Sequence, residues 1–452
     1  MSDLLAIGAS GARAAQVSLT TVSENIANSG VAGYSRRAAV NAEVSTTGLI
    51  GTNGYGVRIA GIQRSADIFK SQAVRTAGAD LSRTTAAATW LTSIQSALTT
   101  GDAGTRVTDF FNQATRLAAD PSSSAQRTAM LESAASVAGA FTRTGNALAQ
   151  VTADLDTAAD ADTARLTTLA EGLAKVNAGL GRAIQGTAGA AGLLDERDRL
   201  LEEMSGIADI TATFDQFGRV TARVGGSTGP KLVEGVNAGS VGYARNTQGA
   251  VQFVVTRDFV PATFSPVGGS LAGIADAATK VAGARESLDD VARAFADGVN
   301  AAQAAGRDPA NAATGSADLP GDPIFVYDAA RPSQMALSER ITPAGIAAAS
   351  PGTGPRDGGN LPAFQALRTG GGFEKTLTAL VSDNAAAIEN RATVAAAQSA
   401  ILEGAVTARD TATGVNIDNE AVDLLRFQQA YQASSRVIAV AKEIFQSLME
   451  IR

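Results

Sequence analysis

The sequence predicts a mainly α fold with a β-rich insert: paired N- and C-terminal coiled-coil helices, an elongated helical bundle domain and a smaller β domain. Three observations carry this reading. Apolar residues recur at alternating spacings of three and four at both ends of the 452-residue chain. Residues 66–205 are rich in Ala, Leu, Gln and Arg and nearly free of Pro, as a helical stretch should be. From about Gly206 the apolar period changes to two, with Gly and Pro punctuating short runs.

Taken in order, residues 3–28 form a helix whose stripe is Leu5, Gly8, Ala12, Ala15, Leu19, Val22 and Ile26. Asn28, Ser29 and Gly30 stop it, glycine being suited to a left-handed cap. A turn over 30–37 leads to a strand over 38–44, a Gly/Thr-rich loop over 48–56, and a second strand through Val57, Ile59 and Ile62. Asp120-Pro121-Ser122 breaks the helical stretch, and a long helix covers 124–171. A further helix spans 193–204. The insert alternates at Ile210, Ala212 and Phe214, at Val220, Ala222 and Val224, and at Val251, Phe253 and Val255. Helical spacing returns over 272–305. A loop over 306–322, a strand over 324–327 and a Gly/Pro loop over 351–359 follow. Helices then occupy 373–409 and 420–452, broken at Thr413-Gly414. The nesting defines three units: a terminal region of 1–65 plus 411–452, a bundle of 66–205 plus 270–305 plus 373–410, and a β-rich insert of 206–269 plus 306–372.

Composition removes most chemistry. With no Cys and no His, the chain lacks disulfides, thiolate nucleophiles, the commonest metal ligand and the commonest general base. No residue stands out as catalytic, cofactor-binding or metal-ligating, and no cofactor is expected. A net charge of −7 without a basic run argues against a nucleic-acid partner. No apolar run approaches the ~20 residues of a membrane helix, and the first fifteen residues lack the pattern of a cleavable signal. Asp154, Asp156, Asp160 and Asp162 lack the Gly and terminal Glu of a calcium loop and read as a solvated helix face. The Asp195–Glu203 charge cluster reads as surface. The segment from Gly225 to Lys231 lacks phosphate-loop order and reads as a turn.

The last helix carries a second stripe: Leu424, Phe427, Tyr431, Ser434, Ile438, Ala441, Phe445 and Leu448, widened by Val437, Ile444 and Ile451. Burying each large apolar side chain is worth roughly 1.5–3 kcal/mol, and an isolated helix is marginal in water. The stripe therefore needs a partner. The N-terminal stripe is one candidate. Two wide stripes packed together still leave apolar edges, which favours association with neighbouring molecules; the alternative is an ordinary helix pair in a soluble core. The turn over 25–37 reads as capping and chain reversal, with Tyr34, Arg36 and Arg37 also suited to subunit contact.

Residues 23–36 (SENIANSGVAGYSR) resemble the N-terminal signature of flagellar rod, hook and hook-associated proteins. Residues 54–64 (GYGVRIAGIQR), followed by Asp67 and Phe69, are similar to the next segment of hook-associated proteins. Residues 193–204 (LLDERDRLLEEM), 268–273 (GGSLAG), 291–300 (VARAFADGVN), 414–421 (GVNIDNEA) and 425–433 (LRFQQAYQA) resemble further points of one family, hook-associated protein 1 of the FlgK type. The resemblance implies a non-enzymatic subunit of the hook–filament junction, with the terminal helices as an axial inner tube, the bundle around it and the insert as an outer β domain. It also implies self-association in a ring, contact with hook protein and with a second hook–filament junction protein, and type III export to the extracellular flagellum. A cytosolic export chaperone would hold the C-terminal helix. Assembly or partner contacts then fall to Leu5, Ala12, Leu19, Val22, Ile26, Tyr34, Arg36, Leu424, Phe427, Tyr431, Ile438, Phe445 and Leu448. The rivals are an exported enzyme, such as a cell-wall hydrolase on a flagellar scaffold, and a secreted helical adhesin.

Overall fold

A computed structural model describes residues 2–31, 33–48, 51–246, 250–313, 319 and 321–450. Helix α1 (Ser2–Asn28) leads into an antiparallel hairpin of β1 (Arg37–Gly48) and β2 (Gly51–Arg64). The strands are longer than their alternation indicated. The loop expected over 48–56 is strand from Gly51 onward, and bulges at Val40/Asn41 and Glu43/Ser45 interrupt the register that alternation alone would reveal. Four helices follow: α2 (Ile68–Thr100), α3 (Ala103–Ala119), α4 (Ser124–Leu180) and α5 (Ala188–Ile207). Asp67, Ser123 and Thr187 cap α2, α4 and α5 by accepting from the backbone of Lys70, Gln126 and Ala190, each cap worth ~1 kcal/mol. The corner at Gly101-Asp102 was not legible. Gly101 sits where a Cβ would lie 2.3 Å from the Ala140 carbonyl oxygen, and Asp102 turns the chain at φ +53.

Strands β3 (Ile210–Phe214), β4 (Val220–Val224), β5 (Lys231–Glu234) and β6 (Asn237–Ala238) form one antiparallel sheet in that order. Strands β7 (Ser240–Arg245), β8 (Val251–Arg257) and β9 (Val260–Phe264) form a second. Both lean on α4. The fully buried Asn177 amide donates to the Val220 and Gly235 carbonyls (2.8 and 2.7 Å) and accepts from the Val220 N–H (2.9 Å). Asp156 accepts from the Tyr243 hydroxyl and from Arg245, and Asp162 accepts from the Ser270 hydroxyl. Of the acidic run expected to face solvent, Asp156 thus fastens the insert to the bundle and Asp162 joins α4 to the start of the next helix.

Helix α6 (Gly269–Ala305) returns along α2 and α4. After it come α7 (Pro309–Ala313), the hairpin β10 (Phe325–Asp328) and β11 (Arg331–Leu337), a 3₁₀ turn at Pro343–Gly345, and α8 (Pro362–Gly371). Of these, sequence reasoning found only the first strand. Although 306–372 was grouped with the β insert, this segment packs on α3, α4 and α6. The reason is aromatic: Phe325, Phe364 and Phe373 close around Phe110, Phe111 and Phe295, with edge-to-face pairs such as Phe110–Phe295 at 5.5 Å. Helix α9 (Phe373–Thr413) then runs back along α2, and α10 (Ile417–Glu450) returns to α1.

Candidate functional site

Helices α1 and α10 are antiparallel: Gly8 faces Ile438, Gly11 faces Ser434, and Asn25 meets Glu420. The two glycines set the spacing. A Cβ on Gly8 would lie 2.9 Å from Ile438 Cγ1, and one on Gly11 would lie 2.8 Å from Ser434 Oγ. On its other side α1 meets the hairpin, where the Val57 N–H donates to Ser10 Oγ (3.1 Å) and Gly56, at φ +100, leaves the room that Ser10 occupies.

Burial divides the expected stripe residues. Val22 is buried; Ala12, Leu19, Ile26, Leu424, Phe427 and Ile438 are half-buried. Leu5, Tyr431 and Phe445 are exposed, at 46, 42 and 58 %. The Leu448 side chain and all of Ile451 lie outside the described residues. A second apolar face, on the side of α10 turned away from α1, was not separated from the first by spacing alone. It consists of Val422, Leu425, Val440 and Ile444, all exposed. Helix α10 is therefore apolar on two sides, and α1 covers one.

The turn after α1 is a polar latch. Asn25, fully buried, uses its whole amide: Nδ2 donates to the Arg37 carbonyl (2.8 Å) and Glu420 Oε2 (2.9 Å), while Oδ1 accepts from the Tyr34 hydroxyl (2.9 Å) and the Arg37 N–H (3.0 Å). Glu420, also fully buried, accepts from Arg36 Nε (2.6 Å), and Arg36 reaches on to Asp423 (3.1 Å). Tyr34 lies under the Arg37 guanidinium at 4.8 Å; burial raises its phenol pKa, and Arg37 pulls the other way. Tyr34 and Arg36 thus join α1 to α10 within one chain.

From the latch, contacts run to the bundle. Arg37 donates to Asp195 (2.9 Å), and Arg64 donates to Asp195 (2.6 Å) and Asp198 (2.8 Å). Asp198 also accepts from Arg197, whose pKa burial lowers and Asp198 pushes back up. The Asp195–Glu203 cluster, expected at the surface, is in part the docking face of the terminal unit. Arg199 pairs with Glu196 and Glu203. No local spacing could have revealed this, because Arg37 and Arg64 come from a hairpin more than 130 residues away.

The arrangement holds a largely apolar helix pair against the bundle through a set of ion pairs. Comparisons with known proteins agree in kind. A model of the flagellar hook-associated protein FlgK helical domain matches residues 91–317, and one of the flagellar basal body rod FlgEFG protein C-terminal region matches 410–451. Flagellar hook-associated protein 1 of Escherichia coli K12 is 25 % identical across the full length of both chains. Its counterpart in Salmonella typhimurium LT2 is 29 % identical over 321 residues, covering 68 % of this chain and 58 % of that one. The solved flagellar hook junction protein FlgK of Burkholderia pseudomallei overlaps 57 % of this chain and 47 % of its own, at 19 % identity and a TM-score of 0.49.

Proposed function

Given that this chain belongs to the flagellar hook-associated protein FlgK family, we propose that it is a structural subunit of the bacterial flagellum at the hook–filament junction. The observation that carries the reading is the second apolar face of α10, which no described element of its own chain covers. A helix of this kind gains most of its stability by packing against further helices. In this reading the terminal unit, 1–65 with 411–452, forms the inner layer of a ring of copies. Leu5, Ala12, Leu19, Val22, Ile26, Leu424, Phe427, Tyr431, Ile438, Phe445 and Leu448 pack there, and Tyr34 and Arg36 fix the angle at which that layer leaves the bundle. One side of the ring meets hook protein and the other a second junction protein. Before assembly the same face of α10 is the natural seat for a cytosolic export chaperone, and a chain without disulfides is suited to export unfolded. Nothing in the role requires catalysis.

Deleting the gene is the test. Completed hooks that bear no filament, with filament protein shed into the medium, are expected; normal filaments in the deletion strain would overturn the reading. A chain lacking residues 438–452 should keep its folded bundle and fail to enter flagella.

A further inference from the structure

Away from the termini, the most exposed large apolar side chain among the described residues is Phe259, at 99 %. It sits with Asp258 at the tip of the β8–β9 hairpin, between the paired residues Arg257 and Val260. Both tip residues have positive φ, +51 for Asp258 and +64 for Phe259. Such a two-residue turn favours Asn-Gly; a bulky aromatic there is sterically strained where glycine would not be. Strain held at a fully exposed ring points to use of the ring elsewhere. Exposed Val260 adjoins it, and Arg257, donating to Glu234, draws the β5–β6 turn with exposed Val236 alongside.

We propose that this tip docks into a second copy of the chain, in the crevice between α2, α6 and α9. That crevice has a volume of about 450 Å³ and is lined by Ala87, Leu91, Ala277, Ala387 and Val394, with Lys280 at its mouth. An aromatic ring with an adjoining valine fits such a space. Charge suits this site. Lys280 is exposed and makes no ion pair among the described residues, whereas Asp276 beside it is already held by Arg83 and Arg391. Asp258, 63 % exposed and held by its neighbour Arg257 only in a long ion pair of 3.7 Å, brings the complementary carboxylate next to the ring. Tip and crevice are different surfaces, so the contact is head-to-tail and links successive copies around a ring or along a helix. The inference rests on the reading that several copies assemble, and adds a contact outside the terminal helices.

The chain has no cysteine, which makes cross-linking clean. In cells whose only copy carries Val260→Cys with Val394→Cys, oxidised hook–filament preparations should give a ladder of linked multimers that neither single variant gives. Adding Asp258→Lys should abolish the ladder, and adding Lys280→Asp to that should restore it. Phe259→Gly should also lose the ladder while the melting temperature of the isolated chain stays level or rises. Without cysteines, swimming should decline in Asp258→Lys and recover in Asp258→Lys/Lys280→Asp. Filament-bearing hooks that give no ladder, a ladder indifferent to Phe259→Gly and Asp258→Lys, or equal swimming of both charge variants would overturn the docking while leaving the junction role intact. Failure of the junction role itself would appear instead as normal filaments in the deletion strain.

Discussion

Helices α4 and α10 are both long, both read as helices from the sequence, α4 by composition and α10 by its stripe, and yet their surroundings differ. Along α4 the residues from Met130 through Phe141, Leu148, Leu155 and Leu166 to Leu173 are wholly enclosed by α2, α3, α5, α6 and the sheets. Along α10 the described residues that are buried are only Glu420 and Ala441. Periodicity therefore specifies that a helix forms and which side is apolar, but not what covers that side. In α4 the cover is the chain's own bundle; in α10, α1 covers one side and no described element covers the other.

The contrast can be broken first in the core. Phe295 touches five other aromatic rings, and Phe295→Ala should destabilise the bundle by about 3–5 kcal/mol in chemical denaturation. A loss below about 1 kcal/mol would mean that the bundle is not the rigid partner in the comparison. At the latch, Glu420→Ala leaves the Asn25 amide and the Arg36 guanidinium short of an acceptor. That change should cost roughly 1–3 kcal/mol of terminal-pair stability, read as faster hydrogen exchange in α1 with the bundle unchanged. Gly8→Ala forces a methyl against Ile438 and should loosen the same pair by about 1 kcal/mol or more, seen as a fall in helicity confined to the termini. Phe445→Ala, at an exposed position, should move isolated-chain stability by less than about 0.5 kcal/mol and still reduce filament number. Smallest of all is the effect at Glu234, whose carboxyl Lys231 and Arg257 hold down from 4.5 to about 2. Its folded pKa is depressed, so this link between the β5–β6 turn and β8 is at full strength above about 4.5 and is lost as pH falls toward about 2. Side-chain NMR titration of Glu234 reads this directly.

The same contrast explains how much was legible in the sequence. Local rules located α1, α4, α10 and the alternating strands β3, β4 and β8, because stripe period and Gly/Pro punctuation are local signals. They failed where long-range contact decides. The corner at Gly101-Asp102 exists because α3 must fold back on α4, and α8 is too short to show a period. Strand β11 carries Pro332 and polar residues, and pairs only because β10 is beside it. Half of the candidate site was readable as two greasy stripes. Its polar half was not: Asp195 and Asp198 look like any charged helix face until the β1–β2 hairpin brings Arg37 and Arg64 to them.

The central claim is that α10 has one face its own chain leaves uncovered and that assembly covers it. Carbene or hydroxyl-radical footprinting at Val422, Leu425, Val440 and Ile444, in the isolated chain and in purified hook–filament junctions, tests it most directly. Strong labelling in the isolated chain and protection in the junction is the predicted result. Equal labelling in both states, or protection already present in the isolated chain, would contradict it.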